Sequence, residues 1–435
     1  MTPSRRGLLG GAGLLGLAAA GPAAAAGVGA QAEAAALQAT LERYHGFGVK
    51  ASGGPGDNAC GAWLEGELGK LGYACRRQAF EVPFFEARQA TLSCGGAKAE
   101  VIPQAIVTPT GPQGLTAPLK LGSAPGSLSG AIAVLDLPSQ RWVAMGGFVA
   151  EAVRRGAAGV VLVTNGPTGE AIALNVSTHR PGVDKPVALL APKDAKPFLA
   201  AAAEGRTATL TLDGVGGGAA RRPAFNLIAR LDRGAAKTMV ISTPRSGWFG
   251  CAAERGSGLA VWLSLAHWLV KTNHGVNIEL LATSGHEYEY LGGEHYLAEA
   301  APKPDKTRIW VHIGASAAGR DWHELATGLK PLPSADSQRV LTATADILDR
   351  TRAAFHGISG LEATYLAEGA MAGGELVNVM SAGYRTAIGL YGFHRYFHTP
   401  GDDLACVSGD LVAPVAGAFR TAISAALGPA AAKAG

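Results

Sequence analysis

Cysteine is scarce in this chain of 435 residues, and the five cysteines form no CxxC pair. A zinc site made of thiolates is therefore not expected, because such sites use closely spaced cysteines. The odd number leaves at least one thiol unpaired. We interpret the cysteines as buried structural residues, with at most one disulfide among Cys60, Cys75 and Cys94.

Charged residues are also sparse, at 17% of the chain, and the formal net charge is only +4. The sequence contains no run of Lys and Arg with interleaved aromatic residues, so we expect no nucleic-acid partner. Apolar residues make up 48% of the chain, which is enough for a sizeable core. The length predicts two folded units plus a leader.

A long apolar run occurs only near the N-terminus. Arg5 and Arg6 precede an Ala-, Gly- and Leu-rich stretch that ends in small residues, which predicts a signal peptide over residues 1–30. The paired arginines favour the twin-arginine type, with an ordinary Sec signal as the alternative. No later stretch reaches the ~18 apolar residues of a membrane span. We therefore expect a periplasmic or secreted protein with no membrane span in its mature form.

Composition divides the remaining chain into three parts. Residues 31–105 predict helices followed by strands, and residues 106–218 open with a Pro-, Gly- and Ser-rich boundary before a small α/β unit. Gly214 to Gly218 are interpreted as a flexible linker. Residues 219–430 alternate strands with helices, including a helix predicted over 340–356. This alternation predicts a mostly parallel sheet covered by helices on both faces.

Residues 280–296 (LLATSGHEYEYLGGEHY) are the most informative stretch. They predict a buried strand, a tight glycine turn and a helix from about Leu291. The turn carries His286, Glu287 and Glu289. Because chemistry gathers at the carboxyl ends of parallel strands, this turn is expected to lie at the site.

Other loops that follow predicted strands also carry titratable groups. These are residues 242–248, residues 251–258, and His312 together with residues 394–403. Carboxylates and imidazoles that converge from separate strand ends are typical of a metal site.

The order of these motifs resembles the aminopeptidase Y / bacterial leucyl aminopeptidase family of zinc exopeptidases, which includes glutaminyl cyclases and glutamate carboxypeptidases. Residues 130–203 are similar to the protease-associated domain that is often inserted in such enzymes. The resemblance implies a phosphorylase/hydrolase-like three-layer α/β sandwich with a mostly parallel sheet. Residues 31–105 and 219–430 would form this peptidase-like domain, and residues 106–218 would be the insert.

The metal motifs of that family are altered in this chain. Active members hold two zinc ions with a His, a bridging Asp, a Glu, a second Asp and a final His, and a further Glu is the general base. In the same order, these positions fall on Thr243-Pro244-Arg245, Glu254-Arg255, His286-Glu287, Gly314 and the intact His398-Thr399-Pro400-Gly401-Asp402. The usual two-zinc site is therefore not expected.

The resemblance leaves a rearranged site that holds one zinc ion, or none. Its predicted metal ligands are Glu254, Glu287, His312 and His398. His312 lies two residues before Gly314, and alternate residues of a strand face the same side. His286 would take the role of the general base, because an imidazole titrates near neutrality. Arg245 or Arg255 could supply a positive charge in place of a metal ion.

The expected function is that of an exported metallopeptidase-like hydrolase acting on a peptide or small amide substrate. Ser246, Trp248, Tyr288 and Tyr396 are predicted to line its substrate pocket. One alternative is a non-catalytic member that binds peptides or small ligands. Another is a metal-free hydrolase that pairs Ser246 with a histidine. Glu375, in a Gly-Gly-Glu turn, is interpreted as at most a supporting residue near the site.

Overall fold

The computed structural model of the protein describes residues 22–137, 145–179 and 183–428, so residues 1–21 of the predicted signal peptide lie outside it. Its helices in the described residues are α1 (Pro22–His45), α2 (Pro55–Lys70), α3 (Met145–Arg154), α4 (Pro192–Ala203), α5 (Gly256–Leu269), α6 (Leu291–Glu299), α7 (Leu348–Ala354), α8 (Leu376–Ser381) and α9 (Gly409–Leu427). The strands of its first half are β1 (Ala74–Cys94), β2 (Ala97–Pro103), β3 (Leu115–Leu121), β4 (Ile132–Leu137), β5 (Gly159–Thr164), β6 (Val187–Leu190) and β7 (Thr207–Leu231). The strands of its second half are β8 (Thr238–Pro244), β9 (Asn277–Thr283), β10 (Thr307–Ile313), β11 (Arg320–Leu325), β12 (Gly328–Ala335), β13 (Arg339–Ala343), β14 (Thr364–Leu366) and β15 (Ala387–Gly392).

The centre of the molecule is a parallel sheet in the order β9-β8-β10-β15. Strand β7 pairs antiparallel with β9 on one side, and β13 pairs antiparallel with β15 on the other. Strand β14 continues the sheet beyond β13. This arrangement confirms the predicted α/β fold with a mostly parallel sheet.

Helices cover both faces of this sheet because its strands are apolar on both sides. Ile241 and Val311 belong to the core that also contains residues of α1, α2, α5, α7 and α9. Their neighbours Val240 and Trp310 point the other way, into a core shared with α6 and α8. Side chains that alternate between two buried faces are typical of a parallel sheet enclosed by two helical layers.

A second α/β unit follows β1 along the sheet, in the order β2-β6-β5-β4-β3. Strands β4, β5 and β6 are parallel, with Phe198 of α4 packed on one face and Val149 of α3 on the other. The long strands β1 and β7 pair with each other through both units and join them. Strands β2 to β6 with α3 and α4 thus form a small α/β unit, called the insert below. The domain bounds of 106–218 and the identity as a protease-associated domain stay predictions.

Two local predictions are wrong. Gly214 to Gly218 lie inside β7 instead of forming a flexible linker, and Gly214, Val215 and Gly216 pair with β1. A Cβ on Gly214 would lie 2.2 Å from the carbonyl oxygen of Glu86, so this glycine serves close backbone approach. Residues 340–356 are not one helix, because β13 occupies their beginning and α7 only their second half.

No disulfide forms among the described residues, since all five cysteines are free. The interpretation that allowed one among Cys60, Cys75 and Cys94 is corrected accordingly. Burial raises the pKa of Cys60 to about 12, so this thiol stays protonated at neutral pH. Burial also raises the pKa of the Cys251 thiol.

Helix α9 is the one described helix whose length and composition would suit a membrane span. Its apolar residues Val412, Phe419 and Ile423 are buried in the core that also contains α5. A core helix of a globular fold passes the same test of length and composition, and this burial favours that interpretation.

Candidate functional site

The site lies where the parallel strands end. The loops after β8, β9, β10 and β15 meet at one edge of the sheet, where ligands bind in open α/β folds. The stretch expected to be strand, turn and helix is confirmed as β9, a short 3₁₀ turn at His286–Tyr288, and α6.

The turn after β9 is held in an unusual backbone conformation. Glu289 and Tyr290 have φ angles of 50° and 78°, in the left-handed region that non-glycine residues rarely adopt. His398, on the loop after β15, has a φ of 58°. Such strain persists only where the surrounding structure enforces it, and it is concentrated at functional sites.

A cavity of about 460 Å³ lies between these loops and the insert. Three imidazoles, those of His286, His312 and His398, line it on the peptidase-like side. Aromatic residues and residues of the insert also line it. They include Tyr290, Tyr391, Phe393, Phe397, Ile106, Val149, Leu174, Val176 and Lys185. Most of these side chains are apolar, and the imidazoles supply polar groups on one side of the cavity. Small-molecule sites commonly combine an apolar lining with a few polar groups in this way.

A segment of the insert is bonded directly to the site loops. The backbone of Ala173 exchanges hydrogen bonds with His398, receiving one from Nδ1 at 2.8 Å and donating one to the carbonyl oxygen at 2.9 Å. The N–H of Val176 donates to the carbonyl oxygen of Glu287 at 3.1 Å. These bonds fix the insert as one wall of the cavity.

Glu254 lies between the guanidinium of Arg255 and the imidazole of His398. Its Oε1 is 2.7 Å from Nη2 of Arg255 and 3.0 Å from Nε2 of His398. Burial would raise the pKa of Glu254, but Arg255 and His398 outweigh it and lower the pKa to about 2. The carboxylate is therefore ionised and paired with a guanidinium at neutral pH.

Glu287 faces hydroxyl groups rather than the cavity. Its Oε2 accepts hydrogen bonds from Ser52 at 2.5 Å and from Ser246 at 2.9 Å. Burial raises the pKa of Glu287, and the Ser52 hydrogen bond opposes that rise. The same two hydroxyls accept the N–H groups of Gly285 and His286, so this cluster shapes the turn.

His286 is backed by a different carboxylate. Its Nδ1 lies 3.0 Å from Oε1 of Glu375, and the same oxygen accepts a hydrogen bond from Thr283 at 2.8 Å. Burial, followed by the charge of Arg255, lowers the pKa of His286 well below its ordinary value. The imidazole is consequently neutral at pH 7, with Nε2 as the ring nitrogen left for a ligand.

His312 is held from behind by Ser242. Its Nδ1 is 2.9 Å from the Ser242 hydroxyl, which also accepts the indole N–H of Trp310 at 2.8 Å. Because Oγ already accepts that N–H, its own hydrogen is free to be donated to Nδ1. Burial lowers the pKa of His312 to about 4. Its Nε2 has no hydrogen-bond partner among the described residues.

Ser316, His394 and Asp402 form a serine–histidine–aspartate chain that the sequence did not reveal. The Ser316 hydroxyl is 2.9 Å from Nδ1 of His394, whose Nε2 is 3.4 Å from Asp402. Asp402 also accepts the N–H groups of Ala253 and Glu254. All three side chains are buried and lie outside the cavity lining, so they tie three loops together from behind.

Solved structures of low sequence identity share this architecture. The zinc aminopeptidase from Bacillus subtilis has a TM-score of 0.70 at 18% identity, over 90% of this chain and 94% of that chain. The M28 peptidase precursor from Shewanella amazonensis gives 0.70 at 18% identity, over 93% and 99%. The aminopeptidase from Aneurinibacillus sp. strain AM-1 gives 0.65 at 18% identity, over 90% and 93%.

The chain has the fold of the M28 aminopeptidases. No protein-family model matches the sequence, and no curated protein matches it. At 18% identity the structural likeness establishes this aminopeptidase fold, and the chemistry of the site has to be argued from its own side chains.

The donors at the centre of this aminopeptidase fold do not fit a four-ligand zinc site. Ligands of one zinc ion lie about 2.0–2.3 Å from it and hence within a few ångströms of one another. Glu254 and His398 are close enough, but Arg255 already pairs with the Glu254 oxygen that faces His398. In the described part of the chain, His394, Asp402 and Cys406 are the one group of three or more possible ligands within 4.8 Å.

The other predicted site residues lie around the cavity rather than on it. Ser246 bonds Glu287, and the indole N–H of Trp248 donates to Asn175 at 2.8 Å. The Tyr288 hydroxyl donates to the carbonyl oxygen of Pro83 at 2.5 Å, and the Tyr396 ring packs 5.1 Å from Trp322. The aromatic residues on the cavity are instead Tyr290, Tyr391, Phe393 and Phe397.

Arg245, two residues after Thr243, where the resemblance implies a lost metal ligand, lies outside the cavity lining. Its Nε lies 3.0 Å from Oδ1 of Asp57, and both side chains are fully buried. Its other nitrogens donate to the carbonyl oxygens of Ala282 and Phe225. The guanidinium thus fastens α2 to the sheet, and sequence reasoning did not identify Asp57 as its partner.

Proposed function

We propose that this chain is an exported hydrolase of peptide or small amide bonds in which His286 is the general base. The position of His286 carries the proposal. Its ring lines a ligand-sized cavity in an aminopeptidase fold, and its Nδ1 is engaged by Glu375. A neutral, oriented imidazole next to a cavity meets the geometric requirement of a general base. Its lowered pKa weakens it as a base relative to an ordinary histidine and makes its protonated form the stronger donor to the leaving nitrogen.

The chemistry is the addition of water to an amide. Nε2 of His286 accepts a proton as the water oxygen attacks the carbonyl carbon. The proton is then delivered to the leaving nitrogen as the C–N bond breaks, giving an acid and an amine. Tyr290 supports this role: its ring packs 4.9 Å from that of His286, and burial raises its pKa to about 12, so its hydroxyl remains a donor.

The shape and lining of the cavity support a small substrate. Its volume suits one or two amino-acid residues better than a folded protein. The aliphatic residues of the insert and the aromatic residues of the β15 loop favour an apolar group on the substrate. The proposal of export rests on the Arg5-Arg6 leader.

A second candidate function is ligand binding without turnover. It is favoured by the two carboxylates at family ligand positions, since Glu254 is paired with Arg255 and Glu287 with two hydroxyls. A cavity of this kind would bind a small peptide or amide and release it unchanged.

Substitution of His286 tests the proposed hydrolysis. The purified protein is assayed on aminoacyl amides and 4-nitroanilides, together with His286→Gln and the control His295→Gln on α6. We expect His286→Gln to lower kcat/KM by about 100-fold or more, the scale of general base catalysis, and the control to match the parent. Hydrolysis that persists unchanged in His286→Gln contradicts the proposal, and binding of the amides without any turnover favours the second candidate.

A further inference from the structure

Glu375 is a buried carboxylate that the cavity does not expose. It is 4% exposed and lies behind His286, outside the cavity lining. The sequence placed it near the site, but the family motifs assign it no ligand role. An unpartnered buried charge is costly, so a carboxylate at this point needs hydrogen-bond partners.

The backbone conformation before Glu375 places its side chain next to His286. Gly373 and Gly374 precede it with φ angles of 70° and 50°, a pair that only glycine adopts without strain. A Cβ on Gly373 would lie 2.1 Å from Cε1 of Tyr391, so the backbone passes directly over that ring. Glu375 then stands at the start of α8.

The contacts of Glu375 define the tautomer of His286. Oε1 accepts the hydroxyl hydrogen of Thr283, so it presents a lone pair to Nδ1 of His286 as well. When ionised, this carboxylate accepts from Nδ1–H, which leaves the lone pair on Nε2. Nε2 is the ring nitrogen that Glu375 does not engage, and the His286 side chain lines the cavity.

We propose that Glu375 is the positioning residue that holds His286 in the Nδ1–H tautomer and aims the Nε2 lone pair into the cavity. The inference rests on the proposed function, because it gives His286 the lone pair a general base needs. Glu375 touches no substrate and acts only through the imidazole. This role differs from that of the glutamate beside the ligand Glu in the resembling family, which is itself the general base.

Nitrogen NMR of the imidazoles tests the tautomer without any substrate. The protein is labelled with ¹⁵N-histidine, and the His286 signal is assigned by its loss in His286→Gln. We expect the Nδ1–H tautomer in the parent protein and in Glu375→Gln, whose amide oxygen can still accept. In Glu375→Ala we expect a shift toward the Nε2–H tautomer, and the exposed control Glu368→Ala should leave the signal unchanged.

Kinetics test the consequence for turnover. We expect Glu375→Ala to lower kcat by roughly 10- to 100-fold, the scale on which carboxylates that orient a histidine act, with KM within about threefold. Glu375→Gln should keep most of the activity, and thermal unfolding confirms that each variant is folded. An unchanged tautomer in folded Glu375→Ala overturns the inference, and so does a switched tautomer with unchanged kcat when His286→Gln has lost its activity.

The two proposals fail in different ways. If His286 is not the base, His286→Gln keeps its activity, while the tautomer shift in Glu375→Ala is still observed. If Glu375 does not position His286, His286→Gln loses activity while Glu375→Ala keeps both tautomer and kcat.

Discussion

Nη2 of Arg255 lies 2.7 Å from Oε1 of Glu254, and both side chains are fully buried. The pair occupies the place where the resembling family has a bridging Asp followed by Asn. In the proposed site, this guanidinium takes the place of the positive charge that a metal ion provides in the resembling family.

Breaking this pair is expected to be strongly destabilising. Arg255→Met would leave Glu254 buried with the His398 imidazole as its remaining partner in that pair of contacts. Loss of one partner of a buried ion pair costs about 3–5 kcal/mol, whereas replacement of both partners costs far less. Denaturant unfolding should therefore show a large loss of stability for Arg255→Met and partial recovery in Glu254→Gln/Arg255→Met. Equal losses in the single and double variants would contradict the pairing.

Acid should destabilise the protein partly through His312. The folded pKa of this buried imidazole is lowered to about 4, so the unfolded chain binds its proton first as the pH falls. The stability contributed by neutral His312 is complete above about pH 6.5, the ordinary histidine pKa, and is lost as the pH falls toward 4. Unfolding free energies at pH 7 and pH 5 measure this loss.

His312→Gln removes the titrating group, so its stability should fall less between pH 7 and pH 5 than that of the parent protein. The exposed His356→Gln is the control and should follow the parent. The same pH dependence in His312→Gln and the parent would rule out this contribution.

Two adjacent glycines of α6 offer a matched steric test of the site turn. A Cβ on Gly292 would lie 2.0 Å from the carbonyl oxygen of Ser284, whereas on Gly293 its nearest neighbour is Oε2 of Glu375 at 3.5 Å. Gly292→Ala should therefore destabilise the protein by about 1–3 kcal/mol. Gly293→Ala should be neutral or stabilising by up to about 1 kcal/mol, because alanine is the better helix former. Thermal unfolding distinguishes them, and the reverse order would contradict this packing.

The sequence predicted the inner strands of the sheets better than the strand β13 near the sheet edge. The apolar runs at residues 159–164, 187–190 and 277–283 predict strands from the sequence alone, and they are β5, β6 and β9 in the structure. Residues 340–343 also carry β-branched side chains, but a short apolar run does not distinguish an edge strand from a helix. Residues 340–343 form a strand because β13 pairs with β15 and β14. That pairing is a tertiary contact, which the local sequence does not show.

The sequence indicated a turn with His286 at a strand end, but it did not reveal the partners of that histidine. The turn that carries His286 follows from a strand, a glycine and a helix in succession. That Glu375 backs this histidine depends on Gly373 and Gly374, about 90 residues away in the chain, whose φ angles no local pattern gives. The orientation of Arg255 toward Glu254 likewise depends on packing.

Metal dependence tests the central claim most directly, namely that His286 and the buried Arg255–Glu254 pair replace a four-ligand zinc site. The purified protein is dialysed against a chelator, its transition-metal content is measured, and amide hydrolysis is compared before and after. We expect hydrolysis to be unchanged by chelation and to be lost in His286→Gln. Activity that disappears on chelation and returns with one equivalent of zinc would contradict the account.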